Sequence, residues 1–386
     1  MPSSWVPVSA SLVGPLIVAL ASVPSASATQ YSLAKEYYGS TFFDDWTFYN
    51  YYDNLTNGDA IFVSAQTAFA DQLAYVDSTT SHAFIKVDNT TTVPYNDKRN
   101  TVRITSNDSF AVGSLWVTDL YHVPYGCSVW PAWWSQAVQW PQGGEIDTFE
   151  GVNLQTNNQM SLHTEPGCTQ VSPNETSTLV TSTDCSYDAN ENQGCIVTDP
   201  STASFGSGFS TAGGGAFVTE FATSGISVWF FPRSQIPSSL SSNSSTIDTT
   251  TFGVPVGNWP STGCNVQEYF QPQQLIFDIT LCGDFAGNAA IFNQTCSGVC
   301  YNDYVIGSPS NYDNAYFEVG YVRVFSTEGS STVVSPSTSG SAAGTSASPT
   351  GAPGTSGNSA KGLREWYTLV LASGFALIGG LGVALL

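Results

Sequence analysis

Positive charge is scarce in this chain. Its 386 residues include 9 Lys or Arg against 30 Asp or Glu, a formal net charge of −21. Nucleic-acid binding needs clustered cations along a phosphate backbone, so that class of partner is excluded. Histidine is rare, at 3 residues, and no two cysteines stand as Cys-x-x-Cys, which argues against a zinc site. Methionine is nearly absent, with 2 residues, and apolar residues at helical spacing are hard to find. No internal repeat is visible. Charged residues make up only 10% of the sequence, so several of them in one place call for a reason other than solubility. A neutral polymer suits such a protein as a partner.

The two ends differ from the middle. Residues 1–28 read as a secretory signal peptide. The chain is apolar from Leu12 to Ala21 and reaches the small-residue pattern Ala26-Ser27-Ala28, although no Lys or Arg precedes it. The alternative, a buried N-terminal helix, is disfavoured by Pro15, Pro24 and the short apolar length. Residues 327–360 are mostly Ser, Thr, Gly, Ala and Pro. Such a stretch buries too little surface to offset its ordering entropy and reads as an O-glycosylated stalk. Residues 361–386 close with an apolar tail, Trp366 to Leu386, that has no basic flank after it. A spanning helix of roughly 20 residues would fit, but it normally carries cytoplasmic basic residues. The small residues Gly357 to Ala360, a polar spacer and the tail match a GPI-anchor signal instead, with attachment near Asn358. The expectation is a secreted, extracellular monomer at the cell surface or cell wall, meeting membrane only through a lipid anchor.

Eight cysteines fit that oxidising compartment: Cys127, Cys168, Cys185, Cys195, Cys264, Cys282, Cys296 and Cys300. Sequence alone does not choose among their pairings. Asn-x-Ser/Thr sequons at Asn54, Asn89, Asn107, Asn174, Asn243 and Asn293 predict surface positions and N-glycosylation.

Residues 29–326 remain as one domain. Period-2 runs mark strands at 83–87, 102–105, 114–120, 216–223, 226–231, 275–281 and 316–325. Ser224-Gly225 signals a two-residue hairpin. One helix is expected near residues 67–75. Many strands separated by Gly, Pro and Asn turns predict an all-β sandwich of two antiparallel sheets.

The densest chemistry lies in Gly143-Gly144-Glu145-Ile146-Asp147-Thr148-Phe149-Glu150. Alternation along a strand puts Glu145 and Asp147 on one face. Glu150 is out of phase, and one β-bulge between Asp147 and Glu150 would restore it. The two glutamates would then stand about four strand steps apart, on the order of 13 Å between Cα atoms. Long side chains leaning inward on a concave sheet close much of that gap, toward the roughly 5–5.5 Å between carboxyls that retaining glycoside hydrolysis needs. One carboxylate would attack the anomeric carbon and the other protonate the leaving oxygen, with Asp147 holding their pKa values apart. A calcium site is the competing use of three acids, but its ligands usually come from an oxygen-rich loop, whereas Ile146 and Phe149 interleave here. No cofactor is expected; a structural calcium is possible in principle but is not indicated by the sequence.

Trp130, Trp133, Trp134 and Trp140 precede this strand. Trp130 or Trp133 is expected in the core, and Trp134 and Trp140 as sugar platforms. His163, in Met160-Ser161-Leu162-His163-Thr164, falls on the next strand as a substrate-contacting or supporting residue.

Pro131-Ala132-Trp133-Trp134 followed by Trp140-Pro141-Gln142-Gly143-Gly144-Glu145 through Asn153 resembles glycoside hydrolase family 16, and within it the fungal, basidiomycete laminarinase-like endo-1,3(4)-β-glucanases. Phe42-Phe43-Asp44-Asp45-Trp46, Val228-Trp229-Phe230-Phe231-Pro232-Arg233 and Cys282-Gly283-Asp284-Phe285-Ala286-Gly287-Asn288 are similar as well. The resemblance implies a concanavalin A-like β-jelly-roll with a concave cleft and retaining hydrolysis of β-1,3 or mixed β-1,3/1,4-glucan. It implies Glu145 as nucleophile, Asp147 as assisting acid and Glu150 as general acid/base, with Trp134, Trp140, His163 and Arg103 lining the cleft. Two residues between Asp147 and Glu150 correspond to the family's bulged motif, associated with laminarinases. A GPI anchor fits better with the wall-remodelling transglycosylases, which more often carry the regular motif. A transglycosylase is therefore the alternative, and a non-catalytic glucan-binding wall protein is a third reading from another class.

Overall fold

The computed structural model describes residues 30–240, 243–327 and 329–336. The signal peptide, most of the stalk, the C-terminal tail and Asn358 lie outside the described residues. Among those residues two nine-stranded antiparallel sheets pack face to face, and a three-stranded sheet lies beside them. This is the antiparallel sandwich expected from the spacing of strands and turns, in the jelly-roll form that the family resemblance implies.

The first sheet holds the carboxylates. Its main order runs Thr178–Leu179, Val197–Thr198, Gln159–His163, Glu145–Glu150, Val129–Ala137, Gln273–Leu281, Arg103–Phe110, Trp46–Phe48. The second is centred on Tyr316–Ser326 and Ser114–His122. Trp133, Phe149, Phe277 and Phe317 interlock between the sheets, with Trp133 stacked on Phe277 at 4.2 Å and Phe277 edge-on to Phe317 at 5.1 Å. Trp116 faces this core, while Leu115 and Val117 face a second cluster with Trp229, Leu240 and Phe252 on the back of that sheet. Both faces of the Ser114–His122 strand are therefore covered, so its apolar residues serve two cores rather than one.

Three sequence expectations shift. The helix spans Ala65–Ala70, capped by the Ser64 side chain, and Ala74–Val76 is a strand instead. The hairpin turn is Thr223-Ser224, since Ala222 pairs with Gly225. The domain also continues past residue 326. Val333 and Val334 pair with Phe110 and Ser109, Ala111 N–H donates to Thr332 C=O, and Ser335 Oγ donates to Asp108 Oδ1 at 2.6 Å. A stalk can thus begin only after Pro336.

The cysteines pair as Cys127–Cys296, Cys168–Cys264, Cys185–Cys195 and Cys282–Cys300. Of the sequon side chains, Asn54, Asn174, Asn243 and Asn293 are exposed. Asn89 and Asn107 are half-buried, their amides bonded to Asp313 and Thr47.

Candidate active site

Gly143 and Gly144 make the return from Val129–Ala137 into Glu145–Glu150. A Cβ on Gly143 would sit 2.1 Å from Ala137 Cβ, and one on Gly144, whose φ is +71°, would sit 2.4 Å from the Phe270 ring. Glycine alone fits both places. Beyond the turn, the strand carries one extra residue. Trp134 pairs with Asp147 and Trp133 with Phe149, so Thr148 has no partner on that side. On the other side Asp147 pairs with Ser161 and Glu150 with Gln159, again one residue out of step. This is the bulge that the spacing of the acids requires. Thr148 and Phe149 both point between the sheets: Thr148 Oγ1 meets Thr219 Oγ1 at 2.6 Å, and Phe149 stacks on Phe205 at 5.1 Å. Glu145, Asp147 and Glu150 are left together on the cleft face.

Asn158 closes the bulge. Its Oδ1 accepts from Glu150 N–H at 3.0 Å, and its Nδ2 donates to Thr148 C=O at 2.9 Å. Both are backbone groups that the extra residue takes out of the ladder. Its own N–H donates to Ser204 Oγ at 2.9 Å, and the side chain is fully buried.

Electrostatics follow from burial and crowding. Burial, then the charge of Asp147, pushes the Glu150 carboxyl up to about 7, against a hydrogen bond from Trp130 Nε1 to Glu150 Oε1 at 2.8 Å. The same two causes raise Glu145 well above the ordinary carboxylate range, with His163 opposing. His163 is raised to about 10: burial works against its charged form, but Glu145 and the hydrogen-bonded Asp147 outweigh it. As an imidazolium, its Nδ1 donates to Asn192 Oδ1 at 3.1 Å and its Nε2 faces Ser161 Oγ at 3.2 Å and Asp147 Oδ2 at 3.4 Å. Ser161 Oγ donates onward to Asp147 Oδ2 at 2.5 Å. Donor atoms of Glu145, Asp147 and His163 lie within 4.8 Å of one another, close enough to surround a small divalent cation. A cation there would have to displace the proton that Glu145 and Asp147 stabilise on His163.

Strand register aligns Arg103, Asp278, Ala132, Glu150, Gln159 and Thr198 in one row across the sheet. Trp134 Nε1 donates to Asp278 Oδ1 at 2.9 Å, and the Arg103 guanidinium lies 4.9 Å from the Trp134 ring and 3.5 Å from Asp278 Oδ2. Arg103 Nε is buried without a partner. Burial raises Asp278 to about 6 in spite of Arg103 and Trp134. Trp140 stands at the Glu145 end, 40% exposed and edge-on to Tyr187 at 5.8 Å. The structure thus gathers Glu145, Asp147, Glu150, Trp134, Trp140, His163 and Arg103 on one face.

Of the two tryptophans considered for the core, Trp133 is fully buried there and Trp130 is on the cleft face, bonded to Glu150. Asp278, Ser161, Asn158 and Asn192 were not anticipated. Asp278 carried a signal, as a lone acid in the apolar run Leu275-Ile276-Phe277-Asp278-Ile279. Ser161 carried one too, since alternation places it with Gln159 and His163.

Comparison with known proteins agrees with this geometry. A family model described as XgeA-like, catalytic GH16 domain matches residues 46–325. The chain belongs to glycoside hydrolase family 16. It is 38% identical over 305 residues to a probable glycosidase of Schizosaccharomyces pombe, covering 78% of this chain and 71% of that one. A probable endo-1,3(4)-β-glucanase of Neosartorya fischeri is 36% identical over 349 residues, covering 87% of this chain; the present chain spans about half the length of that relative, 52%. Among solved structures, GH16 Laminarinase 16A from Phanerochaete chrysosporium, in complex with 6-O-glucosyl-laminaritriose in donor and acceptor sites, aligns with a TM-score of 0.73 at 37% identity, over 77% of this chain and 99% of that one. An elongating GH family 16 β-1,3-glucosyltransferase aligns with a TM-score of 0.70 at 35% identity, over 77% and 100%.

Replacing Asn158 by Ala leaves the Glu150 N–H and the Thr148 C=O unpaired in a buried place, at about 1–3 kcal/mol each. Calorimetry should show a melting temperature lower by roughly 5 °C or more. An unchanged melting temperature would mean that the bulge is held by its core contacts alone.

Proposed function

We propose that the chain is a retaining endo-β-glucanase acting on β-1,3 or mixed β-1,3/1,4-glucans. The observation that carries this reading is the bulge, which brings three carboxylates onto one face beside exposed indole. Glu145 attacks the anomeric carbon as the glycosidic C–O bond breaks, and Glu150 gives its proton to the departing oxygen. Water then attacks the same carbon, its proton goes to the Glu150 carboxylate, and the ester to Glu145 opens. A Glu150 pKa near 7 suits a group that gives and then takes a proton. Asp147 and the His163 imidazolium steady the charge of Glu145 between the two steps. Trp140 and Trp134 offer faces for sugar rings, and Arg103 a donor.

The alternative is a glucan transglycosylase, in which a sugar hydroxyl replaces water. The aligned β-1,3-glucosyltransferase favours keeping it, because its resemblance is nearly as strong as the laminarinase's. Neither version explains a purely binding role, since both keep all three acids.

Proton NMR of the first product should show the β-anomer before mutarotation. With an activated aryl β-glucoside and azide, Glu150→Ala should give the β-glycosyl azide and Glu145→Ala the α-anomer. Reversed anomers would exchange the two roles, and wild-type rates in either variant would remove the site.

The basic limb of kcat/KM should follow loss of the Glu150 proton, near pH 7. Asp147 is a negative neighbour that raises this pKa. Asp147→Asn should therefore move the limb to lower pH, beside any loss of rate. A limb that stays or moves up would exclude Asp147 as the charge that sets it.

The apolar tail and the small residues around Asn358 support a protein exported and joined to a GPI anchor at the cell surface. Mass spectrometry of the mature C-terminus tests this. A lipid-linked residue near 358 is the expected result, and a peptide intact through Leu386 would overturn it.

A further inference from the structure

A cluster of exposed rings stands on the three-stranded sheet beside the sandwich. There Tyr51–Tyr52 pairs with Ala60–Phe62, which pairs in turn with Arg99–Thr101. Tyr51, Tyr52 and Leu55 are about half exposed, and Ile61 is 36% exposed. The Tyr51 and Tyr52 rings lie 4.4 Å apart, and Tyr52 is the cross-strand partner of Ile61. Directly opposed residues share a face. The same alternation turns Asp53 and Ala60 inward, both buried, and sends Asn54 outward with Tyr52.

Asn54 opens the sequon Asn54-Leu55-Thr56. The turn that carries it is fixed from beneath. Asp53 Oδ1 accepts from the N–H groups of Leu55 and Thr56, each at 3.0 Å, and Asp53 Oδ2 accepts from Thr56 Oγ1 and Thr280 Oγ1, each at 2.5 Å. Tyr49 Oη donates to Asn54 Oδ1 at 2.8 Å. The Asn54 amide is thus oriented through its oxygen, and its exposed nitrogen is the atom to which an N-glycan is joined. At Asn89, by contrast, that nitrogen is held by Asp313.

We propose that a glycan on Asn54 is a built part of the fold, its first N-acetylglucosamine lying over Tyr52 and Ile61 with its C–H face on the Tyr52 ring. The inference rests on the export reading above. Asn54 Nδ2 attacks C1 of a lipid-pyrophosphate-linked oligosaccharide. The C1–N bond forms, the C1–O bond to the pyrophosphate breaks, and one amide proton passes to a base while the other stays on the nitrogen. Closing the sugar over the ring then removes apolar surface of both from water. A diffusing glucan is a weaker competitor for the same rings, because a tethered sugar has an effective concentration on the order of millimolar. Tyr49, which holds the Asn54 amide, stands edge-on to Phe62 at 5.7 Å and lies 5.4 Å from the Arg103 guanidinium. The glycan therefore rises at the Arg103 flank of the cleft.

The test uses the full chain, expressed with its own N-terminus in a yeast. Peptide mass spectrometry should find a glycan on Asn54. A bare Asn54 beside an occupied Asn174 or Asn293 overturns this proposal alone, whereas no glycan at any sequon overturns the export reading with it. Melting temperatures are then compared for Tyr52→Ser and Asn54→Asp, singly and together; the aspartate keeps an acceptor for the Tyr49 hydroxyl. Tyr52→Ser should lower the melting temperature by about 2 °C or more in the glycosylated chain, Asn54→Asp should lower it in the same direction, and adding Tyr52→Ser to Asn54→Asp should change nothing further. An equal shift from Tyr52→Ser with and without the glycan would mean that the ring serves the protein alone, and would overturn the contact. Endoglycosidase H leaves the innermost sugar, so the Tyr52→Ser shift should survive trimming; its loss would transfer the contact to outer sugars and sink the assignment. Laminarin hydrolysis reports on the rival occupant. A KM raised by Tyr52→Ser to the same extent with and without the glycan would make the rings a platform for glucan instead.

Discussion

Regular β alternation would turn Glu150 into the core, and one extra residue at Thr148–Phe149 prevents it. Much of the site depends on that constraint. Thr148 and Phe149 point inward side by side, so the bulge is fastened by the packing of the sandwich: Thr148 to Thr219 of the facing sheet, Phe149 to Phe205. On the cleft side Asn158 takes up the two backbone groups that the extra residue strands. Core and cleft are thus linked through one irregularity. A change in the packing around Phe149 would be felt at the Glu150 carboxyl, about one side-chain length away on the other face of the same backbone.

The charge balance of the site follows from this crowding. Three carboxylates on one strand cannot all stay ionised cheaply in a recessed cleft. The imidazolium of His163 supplies the nearest positive charge, and Trp130 and Ser161 supply donors to Glu150 and Asp147. Both glutamates are pushed up by this crowding, Glu150 to about 7, and the His163 cation opposes the rise at Glu145, the member of the pair it faces with Asp147. Asp278, two strands away, and Arg103, three strands away, form a second pair. A chain with so few cations has placed two of its buried ones, Arg103 and His163, against these acids.

Much of this was legible from residue types and spacing. The two out-of-phase residues between Asp147 and Glu150 implied the bulge, and Gly143-Gly144 marked the turn before it. His163 was expected on the next strand, and the family resemblance set it in the cleft. The helix boundary was missed because Ala65–Ala70 is short and Ala74–Val76 continues the apolar run; the helix stops at Asp71, and Gln72, with φ of 58°, turns the chain into the strand. Residues 327–336 looked like stalk because their role is backbone pairing with Phe110 and Ser109, which composition does not report. Trp130 could not be told from Trp133 by type. Three residues apart on one strand, they differ in face, and that choice needs the register. Asn158 and Asn192 were invisible for a further reason: each acts across a loop through an amide whose direction only the fold sets.

Asn192 shows how far the site reaches into its loops. Asn190, Glu191 and Asn192 all have left-handed backbone, with φ of 50°, 59° and 60°. Three successive residues in that region are costly, even though asparagine tolerates it better than most. Such a turn persists only where its surroundings over-determine it. Here the Cys185–Cys195 bond closes the loop, and Cys195 N–H donates to Leu162 C=O beside His163. The loop also carries Tyr187 to Trp140. A costly turn, cross-linked at its base, thus delivers two contacts to the Glu145 end of the cleft: an amide oxygen that orients the His163 ring, and a phenol ring that braces the exposed indole. Oxidation of Cys185 and Cys195 is then a condition for the geometry of the site as well as for the stability of the loop.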